Sequence, residues 1–431
     1  MFMEKKISEF LNKEYKDFSK YVLENRAIPN IIDGFKPVHR KILYTALKHC
    51  KSKHLKTVAL VGYVLAESNY VHGDSSVEGA INKLTQDFTG ANNIEMFAGK
   101  GNFGNRMIKQ PAAGRYTGVK LSEKFLSYFS FDGLEDDNFD PENPEPRSYL
   151  PTIPWLLVNG IEGIAIGFST KILPRDPDNL KKIMLNKLKD KPISISLSKP
   201  YYKGYQGNIV YDEIRNKWVM YGKYEEVSHN KIKITEVPIS FDREKYIIFL
   251  NSLVEKKAIH SYEDNLTDKW NITVKMYEKI TGKSLYGKFR LVMDLNENIT
   301  VMDMDNNLRI FDFVEDVIDY FLQYRLKKLK QKIKLDIKKC LMKIDVIDEM
   351  YKFSKLVKTI NLHEIRRMEL LSQLREKGYK YGKYLIEQAV YKYSKDEIEK
   401  KLKEKENEIK NLEYLRATTS ENELIKMLKR V

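Results

Sequence analysis

The 431-residue sequence predicts an α+β multidomain fold ending in a long antiparallel helical arm. Three observations carry that reading. The chain is longer than one ordinary core fills, so two or three domains are expected. Short helical patterns broken by glycine-containing loops give way near residue 150 to strand-like alternation. Near residue 310 that alternation gives way to sustained helical periodicity. The expected domains are therefore 1–150, 151–309 and 310–431.

In the first region, KPVHRKILYTALKHCKSKHLK (Lys36–Lys56) places Val38, Ile42, Leu43, Ala46 and Leu47 at helical spacing. It contains no acidic residue, so burying the apolar stripe is expected to leave a cationic face exposed. NYVHGDSSVEGAI follows, where Asp74 or Ser75 can cap a helix whose amide end favours an anion. GKGNFGNRMIKQPAAGRYTG ends in Arg115-Tyr116-Thr117. The acidic, proline-rich stretch Asp132–Arg147 reads as an irregular connector.

The second region holds GIEGIAIGFST, a glycine-punctuated apolar run, and GNIVYDEIRNKWVMYGKYEEV, which reads as a hairpin. In the third, Ile318, Leu322, Leu326, Leu329, Ile333, Ile337, Leu341 and Ile344 recur every three or four residues among lysines. That pattern predicts one long amphipathic helix. A second helix is expected over Asp396–Arg416, where near-balanced charges fit an exposed face laced with ion pairs. YLIEQAVYKYS between them reads as an aromatic knob, so the two helices form an arm with a dimer contact at its end.

The net charge of +15 and pI near 9.2 favour a polyanionic partner, nucleic acid being the commonest. Cys50 and Cys340 lie far apart with no CxxC or Cys/His spacing, which argues against a disulfide framework or a zinc site and fits a reducing compartment. The charged N-terminus lacks an apolar signal core, and no apolar stretch approaches 18 residues, so no membrane span is expected. GKGNFG fits GxGxxG, but Pro111 and Gly114 interrupt the helix a nucleotide site needs. Asp303–Asn307 lacks the glycine and terminal glutamate of a calcium loop and reads as a turn. His39, His49 and His54 near Cys50 match no zinc pattern. No metal site is expected in this chain.

Three segments suit work on a phosphodiester: RAIPNIIDGFKPVHRKIL with Arg26, Lys36, His39, Arg40 and Lys41; the His72-Gly73-Asp74-Ser75 run; and Arg115-Tyr116. Singly, each has an ordinary explanation, since there are 27 tyrosines and a basic helix face is usually just solvated. In order, however, DGFKPVHRKIL, HGDSSV, GNFG, AAGRYT and LPTIPWLLVNGIEGIAIG resemble the breakage-reunion subunit of type IIA DNA topoisomerases. These include the gyrase A and topoisomerase IV A subunits and the matching half of the eukaryotic enzyme. The motif-dense stretch runs from about 20 to 175. In length the chain looks most like the medium subunits of T-even-type phage enzymes.

The resemblance implies a winged-helix-like head, a mixed α/β tower and a long antiparallel coiled-coil arm. It implies an ATP-dependent type II enzyme that cuts both strands and passes a second duplex. Tyr116 is the implied nucleophile, forming a 5′-phosphotyrosine whose ester keeps the bond energy for resealing. A tyrosine with pKa near 10 is only about one part in 10³ ionised at pH 7, a shortfall of roughly 4 kcal/mol. Arg115 is the implied electrostatic helper, and His72 steadies the phosphate. Arg26, Lys36, His39, Arg40, Lys41 and Ser75 are the implied DNA grip, and Ile153 the wedge that inserts between base pairs. The implied partners are double-stranded DNA, a second copy of the chain, and a large subunit carrying ATP and Mg²⁺. No C-terminal β-pinwheel or ATPase module is expected here, and the expected location is cytoplasmic, in the host if the chain is viral. The alternative is a non-catalytic DNA-bridging protein on the same scaffold, which Arg115-Tyr116 and His72 argue against. A tyrosine recombinase would need an Arg/His arrangement around another tyrosine, which is not seen.

Overall fold

The computed structural model describes residues 7–265, 267, 269–360 and 364–431. Two compact units are present, one running to Arg325 and taking in Met427–Val431, the other covering Leu326–Lys426. The division falls inside the helix Val314–Leu356 rather than near residue 310, and the first two expected regions share one unit.

The first unit contains the helices Pro37–His49, Thr57–Glu67 and Asp74–Thr85 and a small antiparallel sheet. Its central strand Gly118–Leu121 pairs with Leu55–Lys56 on one side and Phe97–Lys100 on the other. Pro37 starts the first helix because its fixed φ and missing N–H suit the first helical position. Ile42, Leu43 and Ala46 form its buried face, with Val38 and Leu47 half-buried beside them.

Beyond residue 150 the hairpin Ile161–Ile164/Ser169–Ile172 comes first. Two larger sheets follow. One has three strands, with the predicted hairpin Asn208–Asp212/Lys217–Tyr221 joined by Val292–Leu295. The other has four strands, built from residues 223–275, and buries Ile232, Ile234, Ile272 and Val274 against Tyr246, Leu250, Leu285 and Phe289. Asp303 closes the turn of the hairpin Ile299–Met302/Leu308–Phe311, its carboxylate accepting from the amides of Asp305 and Asn307 and pairing with Arg309 at 2.8 Å.

In the second unit, contacts of Cys340 with Asn411, Lys343 with Glu408 and Asp348 with Lys405 run in opposite chain directions. The remainder of Val314–Leu356 and the helix Lys395–Ala417 are therefore antiparallel. Cys340, Leu412 and Leu415 fill their seam. A knob built from Arg367–Glu376, Gly382–Ile386 and Val390–Tyr393 encloses Leu370, Leu374 and Leu385 against Met350 and Phe353. No described helix is long and apolar enough to cross a membrane.

Candidate DNA-cleavage site

Tyr116 sits one residue before Thr117, which leads into the central strand of the small sheet. Thr117 is locked there: its hydroxyl meets that of Thr57 at 2.8 Å, and its carbonyl accepts the Thr57 amide at 3.0 Å. A tight turn precedes it, closed by the Tyr116 amide donating to Ala113 O at 2.9 Å. The Tyr116 ring is 71% exposed, and the Arg115 guanidinium carbon lies 4.9 Å from its centre. A fixed backbone thus presents a free phenol with a cation over its face.

The loop leading to that turn is held by the Asp74–Thr85 helix. Gln86, just past the helix, donates its side-chain amide to Phe103 O and Lys109 O at 2.9 and 3.0 Å. GKGNFG forms part of this loop. A side chain at Gly101, whose φ is +103°, would lie 2.9 Å from Tyr116 O.

A cavity of about 850 Å³ gathers Arg26, Lys36, His39, His72 and Ser75 from three stretches of the chain, together with Lys83 and Ile164. Arg115 and Tyr116 do not line it. Burial and the nearby Lys83 charge push the Lys36 ammonium below the usual lysine range. Lys36 donates to Glu162 O at 2.7 Å. Such a cluster of partly desolvated cations is suited to a polyanion. His72 stands against two tyrosines, with Tyr70 edge-on at 5.4 Å between ring centres and the Tyr21 hydroxyl 3.5 Å from Nε2.

Three sequence expectations are corrected. Arg40 is 9% exposed, pairs with Asp33 at 3.9 Å and donates to Arg147 O at 3.0 Å. Lys41 is 7% exposed and is shared among Ser68 O, Asn143 and Glu145, the last at 2.9 Å. Neither is free to grip a phosphate, because the acidic stretch 132–147, read as a mere connector, folds over that side of the helix and neutralises it. Ile153 is fully buried. Leu150–Pro151 pairs with Phe129–Ser130, and the Thr152 amide bonds Tyr128 O at 2.6 Å, which turns Ile153 into the core. A buried side chain cannot wedge into DNA.

The exposed isoleucine is Ile164, 88% accessible beside the turn of the Ile161–Ile172 hairpin, with Phe168 across the turn. Gly163 forces this outcome. Its missing side chain would sit 2.1 Å from Ala27 O, so Gly163 faces the protein and strand alternation turns Ile164 outward. The sequence reading placed the wedge at Ile153 and took GIEGIAIGFST only as a glycine-punctuated apolar run; the glycine two residues from Ile161 was the available signal.

His39 is held uncharged. Its Nδ1 accepts the Lys36 amide at 3.4 Å, and burial together with Lys36, Arg40 and Lys83 pushes its pKa down to about 3. An unfolded histidine takes up a proton near 6.5, so this group's contribution to stability is whole above that pH and is lost as pH falls toward 3. Asp33 acts in the opposite sense. Burial raises it to about 6, so folding favours its acid form and stability rises as pH falls from there toward 3.8. Between pH 7 and 5 the two nearly offset in the wild type. His39→Gln removes only the first, so the stability gap between the two proteins should shift by about 2 kcal/mol in favour of the variant. Urea unfolding at both pH values measures this, and parallel profiles would refute it.

An exposed, backbone-locked tyrosine with an arginine beside it, and in the same unit a cationic cavity edged by an apolar hairpin, define a protein suited to a nucleic-acid backbone. Comparison with known proteins narrows that class. Residues 26–431 match the A-subunit family of DNA gyrase and topoisomerase IV, and the chain belongs to it. The medium subunit of DNA topoisomerase from Enterobacteria phage T4 is 29% identical over 442 residues, covering 99% of this chain and 98% of that one. Mitochondrial DNA topoisomerase 2 of Dictyostelium discoideum is 32% identical over 334 residues, 74% of this chain but 26% of its own length. The crystal structure of the Plasmodium falciparum topoisomerase II DNA-binding, cleavage and re-ligation domain superimposes with a TM-score of 0.86 at 27% identity, covering 98% of this chain and 63% of that one. The chain thus spans nearly all of the phage protein but about a quarter of the topoisomerase 2 polypeptide. It is a DNA-cleaving subunit of a type II topoisomerase.

Proposed function

We infer that Tyr116 is the nucleophile of a reversible double-strand break, two copies of the chain cutting one strand each. The exposed phenol on a clamped turn, with Arg115 against it, carries this reading. The phenolic oxygen attacks phosphorus and gives up its proton. The bond to the 3′ oxygen breaks, that oxygen is protonated, and the 5′ phosphate stays on the tyrosine. One phosphodiester replaces another, so the reverse reaction reseals the strand. Arg115 counters the charge growing on the phosphate, while Arg26, Lys36, His72 and Ser75 hold the duplex in the cavity.

The three helices and small sheet act as a winged-helix-like head, the sheets of 151–309 as a tower, and the antiparallel helices as a coiled-coil arm. Met368, Tyr384, Val390 and Tyr391 are exposed on the knob, a surface suited to a second copy. ATP and Mg²⁺ belong to a separate large subunit in this scheme. Among the described residues no group of three or more His, Cys, Asp or Glu side chains is arranged to hold a metal.

The wedge role passes to Ile164. Inserting it between base pairs costs a few kcal/mol of stacking and bends the duplex toward the protein. Ile164→Ala should reduce DNA bending, read by end-to-end fluorescence transfer, and slow cleavage by about tenfold. Unchanged bending would remove Ile164 from the role.

The test of the whole reading is covalent trapping. The chain is mixed with its large subunit, Mg²⁺, ATP and supercoiled plasmid, then quenched with detergent. Protein-linked, doubly cut DNA is expected; bound but uncut DNA would favour a bridging protein.

A further inference from the structure

The Asp74–Thr85 helix turns two different sides to the site. Ser75, Ser76, Gly79 and Lys83 line the cationic cavity. Glu78 instead reaches the turn that carries the nucleophile. Its Oε1 accepts the Gly114 amide at 2.8 Å, immediately before Arg115-Tyr116. A side-chain carbon on Gly114 would lie 2.9 Å from the Glu78 carboxyl carbon and 3.0 and 3.1 Å from its two oxygens. Gly114 is not among the residues with positive φ, so its missing side chain makes room for the carboxylate and does not serve an unusual backbone conformation. The same residue's carbonyl accepts the Val58 amide at 3.3 Å. Gly114 is thus gripped at its N–H by one helix and at its C=O by the start of another.

We propose that Glu78 is a positioning residue for cleavage, its carboxylate fixing the Gly114–Tyr116 turn so that the phenol meets the phosphate held by the same helix. Electrostatics alone would disfavour an anion here, beside a phosphate and a tyrosine that must lose its proton. The benefit is geometric. A carboxylate–amide hydrogen bond is stronger than a neutral one and sets the direction of the turn. It also ties the nucleophile to the helix that presents Ser75, so the two move as one body. Misplacing a reacting group by about 1 Å can lower a rate by about 10²-fold.

This inference rests on Tyr116 being the nucleophile, and the experiment separates the two. Single-turnover cleavage of a duplex that cannot be resealed is measured with the chain and its large subunit, alongside DNA affinity and melting temperature. Tyr116→Phe serves as control; if it still forms covalent links, the nucleophile assignment fails, whatever Glu78 does. With that control silent, Glu78→Ala should cleave between about tenfold and 10²-fold more slowly at unchanged DNA affinity. Glu78→Gln keeps an acceptor oxygen and should recover to within about threefold of wild type. Gly114→Ala displaces the carboxylate without removing it and should show the same cleavage defect. Combining it with Glu78→Ala should be no worse than either alone, because the new methyl fills vacated space. A wild-type cleavage rate in Glu78→Ala or Gly114→Ala would overturn the proposal. So would a Glu78→Gln as slow as Glu78→Ala with melting unchanged. If Glu78→Ala proves poorly folded, Gly114→Ala decides.

Discussion

Tyr116→Phe is expected to abolish covalent DNA linkage, lowering cleavage by at least about 10⁴-fold while leaving DNA affinity within about twofold, since removing a nucleophile outright is the most damaging single change an active site can suffer. The prediction is sharp because of the surroundings. The ring is 71% exposed and packs under Arg115 through its face, which phenylalanine also offers. The turn is held by backbone groups and by Thr57, Thr117 and Glu78, none of which uses the phenol. Only the attacking oxygen is lost, so folding, dimerisation and binding should persist. Denaturing gels of quenched plasmid reactions give the covalent yield, and filter binding gives affinity. Linkage surviving in the variant would move the nucleophile to another residue. Loss of affinity in parallel would mean that the hydroxyl serves binding.

Much of this site was legible because its signals are local. Arg115 and Tyr116 are adjacent, His72 and Ser75 share one short run, and the long helices announce themselves by spacing of three and four residues. The errors share a different cause. Arg40 and Lys41 look like an exposed cationic pair until Asn143, Glu145 and Arg147, a hundred residues later, close over them. Helical periodicity says which face is apolar but nothing about what will neutralise the flank. Ile153 and Ile164 both follow glycine- or proline-marked turns, and only tertiary contact separates them. Leu150–Pro151 pairing turns the first inward, and the approach of Ala27 to Gly163 turns the second outward. The return of Met427–Val431 to the first unit, with Lys181 donating to Val431 O at 2.8 Å, likewise leaves no mark in the chain's pattern.

The largest stability effect is expected where the Ile161–Ile172 hairpin is anchored. Arg175 follows that hairpin by three residues and is 1% exposed. Its guanidinium pairs with both oxygens of Glu297 and also donates to Leu173 O at 2.6 Å and Ser198 O at 3.1 Å. Glu297 in turn accepts the Leu173 amide at 2.8 Å. A charge this deep is tolerated only because it is matched, so removing one partner strands the other. Glu297→Ala should destabilise the first unit by about 3–5 kcal/mol, and Arg175→Ala by a similar amount. Replacing both with apolar residues of similar volume, Arg175→Met with Glu297→Leu, should cost far less than the sum, because neither charge is then left unpaired. Trp155, Trp218 and Trp270 all lie in the first unit, so tryptophan fluorescence during urea unfolding reports on it alone. A loss under about 1 kcal/mol in Glu297→Ala would show that the pair is solvated and dispensable. If the double variant is stable yet bends DNA poorly, the charge pair has a second consequence: it fixes the angle at which the hairpin offers Ile164 to the duplex, which apolar packing of equal strength does not reproduce.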